Sequence, residues 1–165
     1  SREGEANWSD TILRDVQETL KGKGEVLGIY MPVGDEISPW PVAQALGFKT
    51  ALPVTLPERG MAFRSAGLDD PMRKNTFDIP EPTQGGWVIP DILLIPLLAC
   101  DGKGVRLGTG GGYYDRYLAS HPHIIRIGIG YDAQFSKDKL PLEGHDMALH
   151  AFLCPSRLIE FSHEF

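Results

Sequence analysis

Between Arg106 and Arg116 the chain reads Arg-Leu-Gly-Thr-Gly-Gly-Gly-Tyr-Tyr-Asp-Arg: eleven residues with four glycines, two arginines and one carboxylate, directly before a helix-like stretch. These residue types at this spacing suit a phosphate. Backbone without Cβ atoms approaches an anion closely, successive N–H groups make a concave donor surface, and the start of the following helix adds partial positive charge. Arg106 and Arg116 can place charge-assisted forks on phosphate oxygens, and Asp115 can reach a magnesium ion carried in with a nucleotide. The plainer alternative is a glycine-rich turn leading into an amphipathic helix. Against it, glycine in regular structure costs about 0.5–1 kcal/mol relative to alanine, and a bound anion would offset that loss over three consecutive positions. The pattern is neither the P-loop, which needs Lys and then Ser/Thr after its last glycine, nor the dinucleotide fingerprint, which needs a strand immediately before it.

The elements that position this loop read as alternating helices and strands. Ser9 or Asp10 can cap a helix whose Ile12, Leu13, Val16 and Leu20 recur at helical spacing, with a stop at Gly22 or Gly24. Residues 25–31 form an apolar run of strand length, residues 39–46 a short helix, and residues 49–54 and 61–65 two further strands. Residues 68–90 are polar, proline-rich and irregular, too long for a passive connection, and so a candidate binding loop. Residues 91–95 return as a buried strand. Residues 112–120 suit a helix behind the glycine loop, residues 124–130 another strand, and residues 149–153 a closing strand. This alternation predicts one layered α/β domain spanning residues 1–165, with ligands gathered beyond the carboxyl ends of its strands, where residues 34–36, 96–104 and the glycine loop would meet.

Composition narrows the function. The chain has 165 residues, 42% of them hydrophobic, and a formal net charge of −6, which disfavours nonspecific nucleic-acid or membrane-surface binding. Lys103, Arg106 and Arg116 stand out as a basic island that suits a small anion. Two cysteines are too few for a disulfide framework, no apolar run approaches the roughly 20 residues of a membrane span, and no charged-then-apolar leader opens the chain. A cytoplasmic protein, monomeric rather than oligomeric, is expected. Trp40 and Trp87 read as packing residues, and the histidines lack zinc-ligand spacing.

Taken in order, residues 35–37, 61–64, 77–82, 91–101, the glycine loop and residues 140–146 form a series that resembles the 5-formyltetrahydrofolate cyclo-ligase family, also called methenyltetrahydrofolate synthetase. The RLG…GGGYYDR loop and the Ile79-Pro80-Glu81-Pro82 turn carry most of the likeness. The resemblance implies a layered αβα sandwich of the NagB/RpiA/CoA transferase-like fold. It also implies closure of 5-formyltetrahydrofolate to 5,10-methenyltetrahydrofolate with ATP and magnesium, releasing ADP and phosphate. An N-formyl oxygen is a poor leaving group until phosphorylated, and catalysis of that step is mainly positioning and charge neutralisation.

Carried over residue by residue, Arg106, Gly108, Thr109, Gly110, Gly111, Gly112, Tyr113 and Asp115 match the ATP cradle, and Asp115 with Asp146 the magnesium carboxylates. Glu36, Met61, Phe77, Ile79, Pro80 and Tyr114 match the folate site, and Glu36, Arg106 and Tyr113 fall in catalytic positions. Thr109 stands where the family often has an aromatic or arginine, and Gly111 where some members have a lysine. No residue matches the lysine and arginine of the family's basic N-terminal helix. Two alternatives from other classes remain at this point: a non-catalytic folate- or nucleotide-binding relative, separated by folate binding without turnover, and a sugar-phosphate-binding module of the same fold class, which would leave residues 77–82 without a purpose.

Overall fold

The computed structural model describes residues 6–108, 111–141 and 147–161. Its centre is an eight-stranded sheet, built from the apolar runs that the sequence marks out. In chain order the elements are α1 (Asp10–Leu20), β1 (Val26–Gly28), α2 (Trp40–Leu46), β2 (Lys49–Leu56), β3 (Gly60–Ser65), β4 (Met72–Lys74), β5 (Pro80–Pro82), β6 (Trp87–Val88), β7 (Ile92–Pro96), β8 (Ala99–Cys100), β9 (Arg106–Leu107), α3 (Tyr113–Ser120), β10 (Ile125–Ile129), β11 (Ala151–Cys154) and β12 (Arg157–Glu160).

The main sheet runs β12-β11-β10-β7-β1-β2-β3-β6. Its five inner strands, β11, β10, β7, β1 and β2, are mutually parallel, and β12, β3 and β6 add antiparallel edges. Parallel strands covered on both faces become continuous apolar runs, and β7 is one. Its Ile92 and Leu94 join the core under α1 and α2, while Leu93 and Ile95 join a second core under α3 with Phe63, Tyr117 and Phe152. Helices thus lie on both faces, the layered α/β arrangement that the alternation predicts. The Ser9 hydroxyl accepts from the Ile12 N–H at 3.2 Å and starts α1, whose Ile12, Val16 and Leu20 are buried.

Two expectations change. The sheet does not close with the strand at residues 149–153, because β12 folds back against β11 as an edge. Residues 68–90 are not structureless either: β4 and β5 form a separate two-stranded hairpin, and β6 joins the main sheet. Pro80 and Pro82 obscure β5 in the sequence, since proline is tolerated only where a ladder N–H is dispensable, as in a two-stranded ribbon. No helix among the described residues is long and apolar enough to cross a membrane.

Candidate functional site

β1 is followed in the sheet by β2 on one side and β7 on the other, so the strand order reverses at β1. A crevice forms at such a switch point beyond the carboxyl ends of the strands. Here it is a cleft of 1220 Å³, walled by the segments that follow β1, β7 and β10, by the end of β2, by the β4–β5 turn and by the glycine loop. Of the exposed large hydrophobic residues, Val33, Phe77, Leu98 and Leu107 all line it. An open apolar surface concentrated in a concave site suits a flat, largely apolar ligand.

One end of the cleft is built on the β8–β9 hairpin. Asp101, 2% exposed, accepts from the backbone N–H groups of Lys103 at 2.9 Å and Val105 at 3.0 Å, which closes the hairpin turn. Its other oxygen accepts from Leu140 N–H at 2.9 Å and ties the hairpin to the segment ending at Pro141, another cleft residue. Burial opposes ionisation of Asp101, but the three N–H donors and the Lys103 charge outweigh it and hold the carboxyl below its ordinary range. On β9, the Arg106 side chain is buried and its Nη2 donates to Asp115 Oδ1 at 2.5 Å, whereas its Nε has no partner among the described residues.

Gly112 ends the loop at φ 72°, a left-handed conformation that a side chain would strain, and caps α3 without a side-chain hydrogen bond. Among the described residues no side chain caps the first N–H groups of α3, which leaves them able to donate to an anion. Arg116 also bonds backbone carbonyls, a role the sequence does not suggest. Its Nη2 donates to Gly111 O at 2.7 Å and its Nε to Arg59 O at 3.4 Å, so it pins the glycine loop to the β2–β3 turn.

Glu36, Met61, Phe77, Ile79 and Tyr114 also line the cleft. Glu36 sits in a turn after β1, where its Oε1 accepts from Val33 N–H at 2.9 Å and its own N–H donates to Val33 O at 3.1 Å. Burial raises the Glu36 carboxyl, and the Val33 N–H only partly opposes this. Burial, with the Glu36 charge second, also pushes the Tyr114 hydroxyl up, and the nearby Tyr30 hydroxyl is raised the same way while donating to Ile37 O. The Phe77 ring meets Tyr113 edge-on, with centroids 6.3 Å apart, so the two halves of the cleft touch across its mouth.

Comparison with known proteins gives this cleft its context. The model of the 5-formyltetrahydrofolate cyclo-ligase family matches residues 6–155. The chain belongs to that family. Among its relatives, the 5-formyltetrahydrofolate cyclo-ligase of Haemophilus influenzae is 36% identical over 139 residues, covering 77% of this chain and 74% of the relative. The enzyme of the same name from Escherichia coli is 32% identical over 147 residues, covering 82% and 80%. The fold also resembles the solved 5,10-methenyltetrahydrofolate synthetase of Aquifex aeolicus, with a TM-score of 0.70, 22% identity, and 93% of this chain and 82% of that one covered.

Of the residues singled out in the sequence, Glu36, Met61, Phe77, Ile79, Arg106, Gly108, Gly111, Gly112, Tyr113, Tyr114 and Asp115 line the one cleft. Pro80 is half-buried in β5 outside the lining, because alternate residues of a strand face opposite ways and Ile79 and Glu81 take the inward positions. Thr109, Gly110 and Asp146 lie outside the described residues. Trp40 packs against the core, as expected. Trp87 is exposed and covered by Arg64, whose guanidinium carbon is 4.2 Å from its ring centroid. Sequence reasoning missed Tyr30, Thr55, Arg59, Asn75, Glu81 and Gln134, all of which line the cleft. The bond that joins Glu81 to Thr55 spans 26 residues and has no local signal in the sequence.

The donor set fits magnesium held jointly with phosphates. Asp115 Oδ2 accepts no hydrogen bond from the described residues, and no cluster of three or more His, Cys, Asp or Glu forms among them. One or two carboxylate oxygens, completed by phosphate and water, is how magnesium is usually bound.

Proposed function

We propose that this chain closes 5-formyltetrahydrofolate to 5,10-methenyltetrahydrofolate with ATP and magnesium, releasing ADP and phosphate. One observation supports this most: Gly108, Gly111 and Gly112, with a buried Arg106 Nε that has no partner among the described residues, line the same cleft as apolar residues and the half-buried Glu36. A phosphate oxygen would satisfy that buried donor. The Glu36 Oε2, without a protein donor among the described residues, would accept N–H groups of a pterin ring. Met61, Phe77, Ile79 and Tyr114 would flank the pterin and aminobenzoyl parts. Arg106, Gly108, Thr109, Gly110, Gly111, Gly112 and Tyr113 would hold the triphosphate, and Asp115 with Asp146 would hold magnesium, which supplies charge neutralisation for phosphoryl transfer.

In this reading the formyl oxygen attacks the terminal phosphorus of ATP and ADP leaves. N10 then attacks the activated formyl carbon, its proton passes to the phosphate or to solvent, and the C–O bond breaks to release phosphate. The contribution of the chain is to hold the formyl oxygen and the terminal phosphate in line and to exclude water behind Phe77 and Tyr113. The same reading takes small-molecule substrates only, acting in the cytoplasm on a single-domain monomer. The test is the near-ultraviolet absorbance of methenyltetrahydrofolate as the chain meets 5-formyltetrahydrofolate and magnesium-ATP. A rise that needs ATP, magnesium and the formyl group together is expected, and no rise with the full set would refute the proposal.

A further inference from the structure

The β4–β5 turn brings Phe77 and Ile79 to the cleft, although its two strands pair only with each other and not with the main sheet. A local chain of hydrogen bonds accounts for its placement. Glu81 Oε2 accepts from the Thr55 N–H, from Thr55 Oγ1 and from Asn75 Nδ2, each at 2.8 Å. Asn75 Oδ1 in turn accepts from the N–H groups of Phe77 at 2.8 Å and Ile79 at 3.1 Å. The connection therefore runs without a gap from β2, through one carboxylate oxygen and one amide side chain, to the backbone of the two apolar cleft residues.

The anchor point is also accounted for. β2 pairs with β1 only from Lys49 to Ala51, so the N–H groups of β2 beyond that point have no ladder partner on the β1 side. A backbone donor at Thr55 needs an acceptor, and Glu81 provides it from a segment distant in sequence. Met72 and Pro82 pack the base of the hairpin, but at its tip Phe77 is 59% exposed and touches Tyr113 edge-on, so packing alone does little to fix the tip.

We propose that Thr55, Glu81 and Asn75 form a clamp that positions Phe77 and Ile79 against the folate, with Glu81 acting through the acceptor capacity of Oε2 and not as a charge on the ligand. This rests on the folate reading of the cleft. All three donors converge on one oxygen, and Oε1 accepts nothing from the described residues. A glutamine whose carbonyl oxygen occupies the Oε2 position keeps the whole network and turns its NH₂ toward the open side, whereas alanine removes it.

The experiment compares wild type with E81A, E81Q and T55V, measuring KM for 5-formyltetrahydrofolate, KM for magnesium-ATP, and amide hydrogen exchange at Phe77 and Ile79 in the substrate-free protein. E81A is expected to raise the folate KM at least tenfold with the ATP KM within twofold, and to speed exchange at both amides. T55V, which loses one bond of three, should raise the folate KM two- to fivefold, and it serves in place of E81A should that variant fail to fold. E81Q should stay within threefold of wild type in every reading. An unchanged folate KM in both E81A and T55V, or damage by E81Q equal to that by E81A, overturns the clamp. A wild type that exchanges slowly at both amides but converts no folate refutes the folate reading, and the exchange rates of the variants then decide the clamp alone.

Discussion

Arg106 and Asp115 neutralise each other in the cleft, Nη2 to Oδ1 at 2.5 Å, with only 5% and 20% of their side chains exposed. The proposed function assigns one of them to phosphate and the other to magnesium, so loading the nucleotide replaces an internal ion pair with two external ones. Removing one partner of a buried pair leaves a charge uncompensated, which costs about 3–5 kcal/mol when burial is complete. Asp115→Ala should therefore abolish magnesium-ATP turnover and also lower the melting temperature. Asp115→Asn keeps an acceptor for Arg106 and separates the two effects. Its turnover should fall at least 100-fold while folate affinity, measured by titration without ATP, stays within threefold. Equal loss of folate binding would show that Asp115 supports the fold and not the nucleotide.

Glu36 is a half-buried carboxylate in the cleft. Its carboxyl is raised, mainly by burial, so the folded chain binds that proton more readily than the unfolded chain. A raised value means that the stability associated with Glu36 is full below the unfolded value, about 4.3, and is lost as pH rises through the folded one. At neutral pH Glu36→Gln should therefore raise the melting temperature slightly while weakening folate binding at least tenfold and leaving ATP affinity unchanged. In the wild type, kcat/KM for folate should fall with acid through a value above the ordinary glutamate range, and this limb should vanish in the variant. A variant that melts earlier at neutral pH would contradict the assignment.

Asp101 has the opposite linkage. Its carboxyl is held low, so its contribution is full above the unfolded value of about 3.9 and is lost as pH falls through the folded one. Asp101→Ala would leave three N–H groups, those of Lys103, Val105 and Leu140, without their acceptor, each costing about 1–3 kcal/mol where water cannot replace it. The expected result is a marked loss of stability at pH 7 in denaturant titration. The difference between wild type and Asp101→Asn should shrink below about pH 4, and a difference constant with pH would remove the charge from the argument.

What the sequence revealed and what it hid divide along the range of the interactions. α1, β7 and the glycine loop are readable because their signals are local: a Ser9 cap with helical spacing, four consecutive buried residues, and glycines beside arginines. The β4–β5 hairpin is not, because its order comes from Asn75 bonding its own turn and from Glu81 bonding Thr55 across 26 residues. Arg116 shows the same limit from the other side. Residue type suggests a phosphate fork, but the fold spends its guanidinium on two carbonyl oxygens.

That use of Arg116 gives the last prediction. The bond to Arg59 O ends on a turn where Glu58 and Arg59 both have φ 61°, a conformation unfavourable for residues with a side chain. Among the described residues Arg116 links this turn to the glycine loop, and under the proposed function losing that link would loosen the loop that holds the triphosphate. Arg116→Ala should raise the KM for magnesium-ATP about three- to tenfold, with the folate KM within twofold and little change in melting temperature, since the lost bonds are exposed. Arg116→Lys should not rescue it, because a single ammonium lacks the fork that spans both carbonyls. Full rescue by lysine would indicate that the positive charge itself contacts the nucleotide.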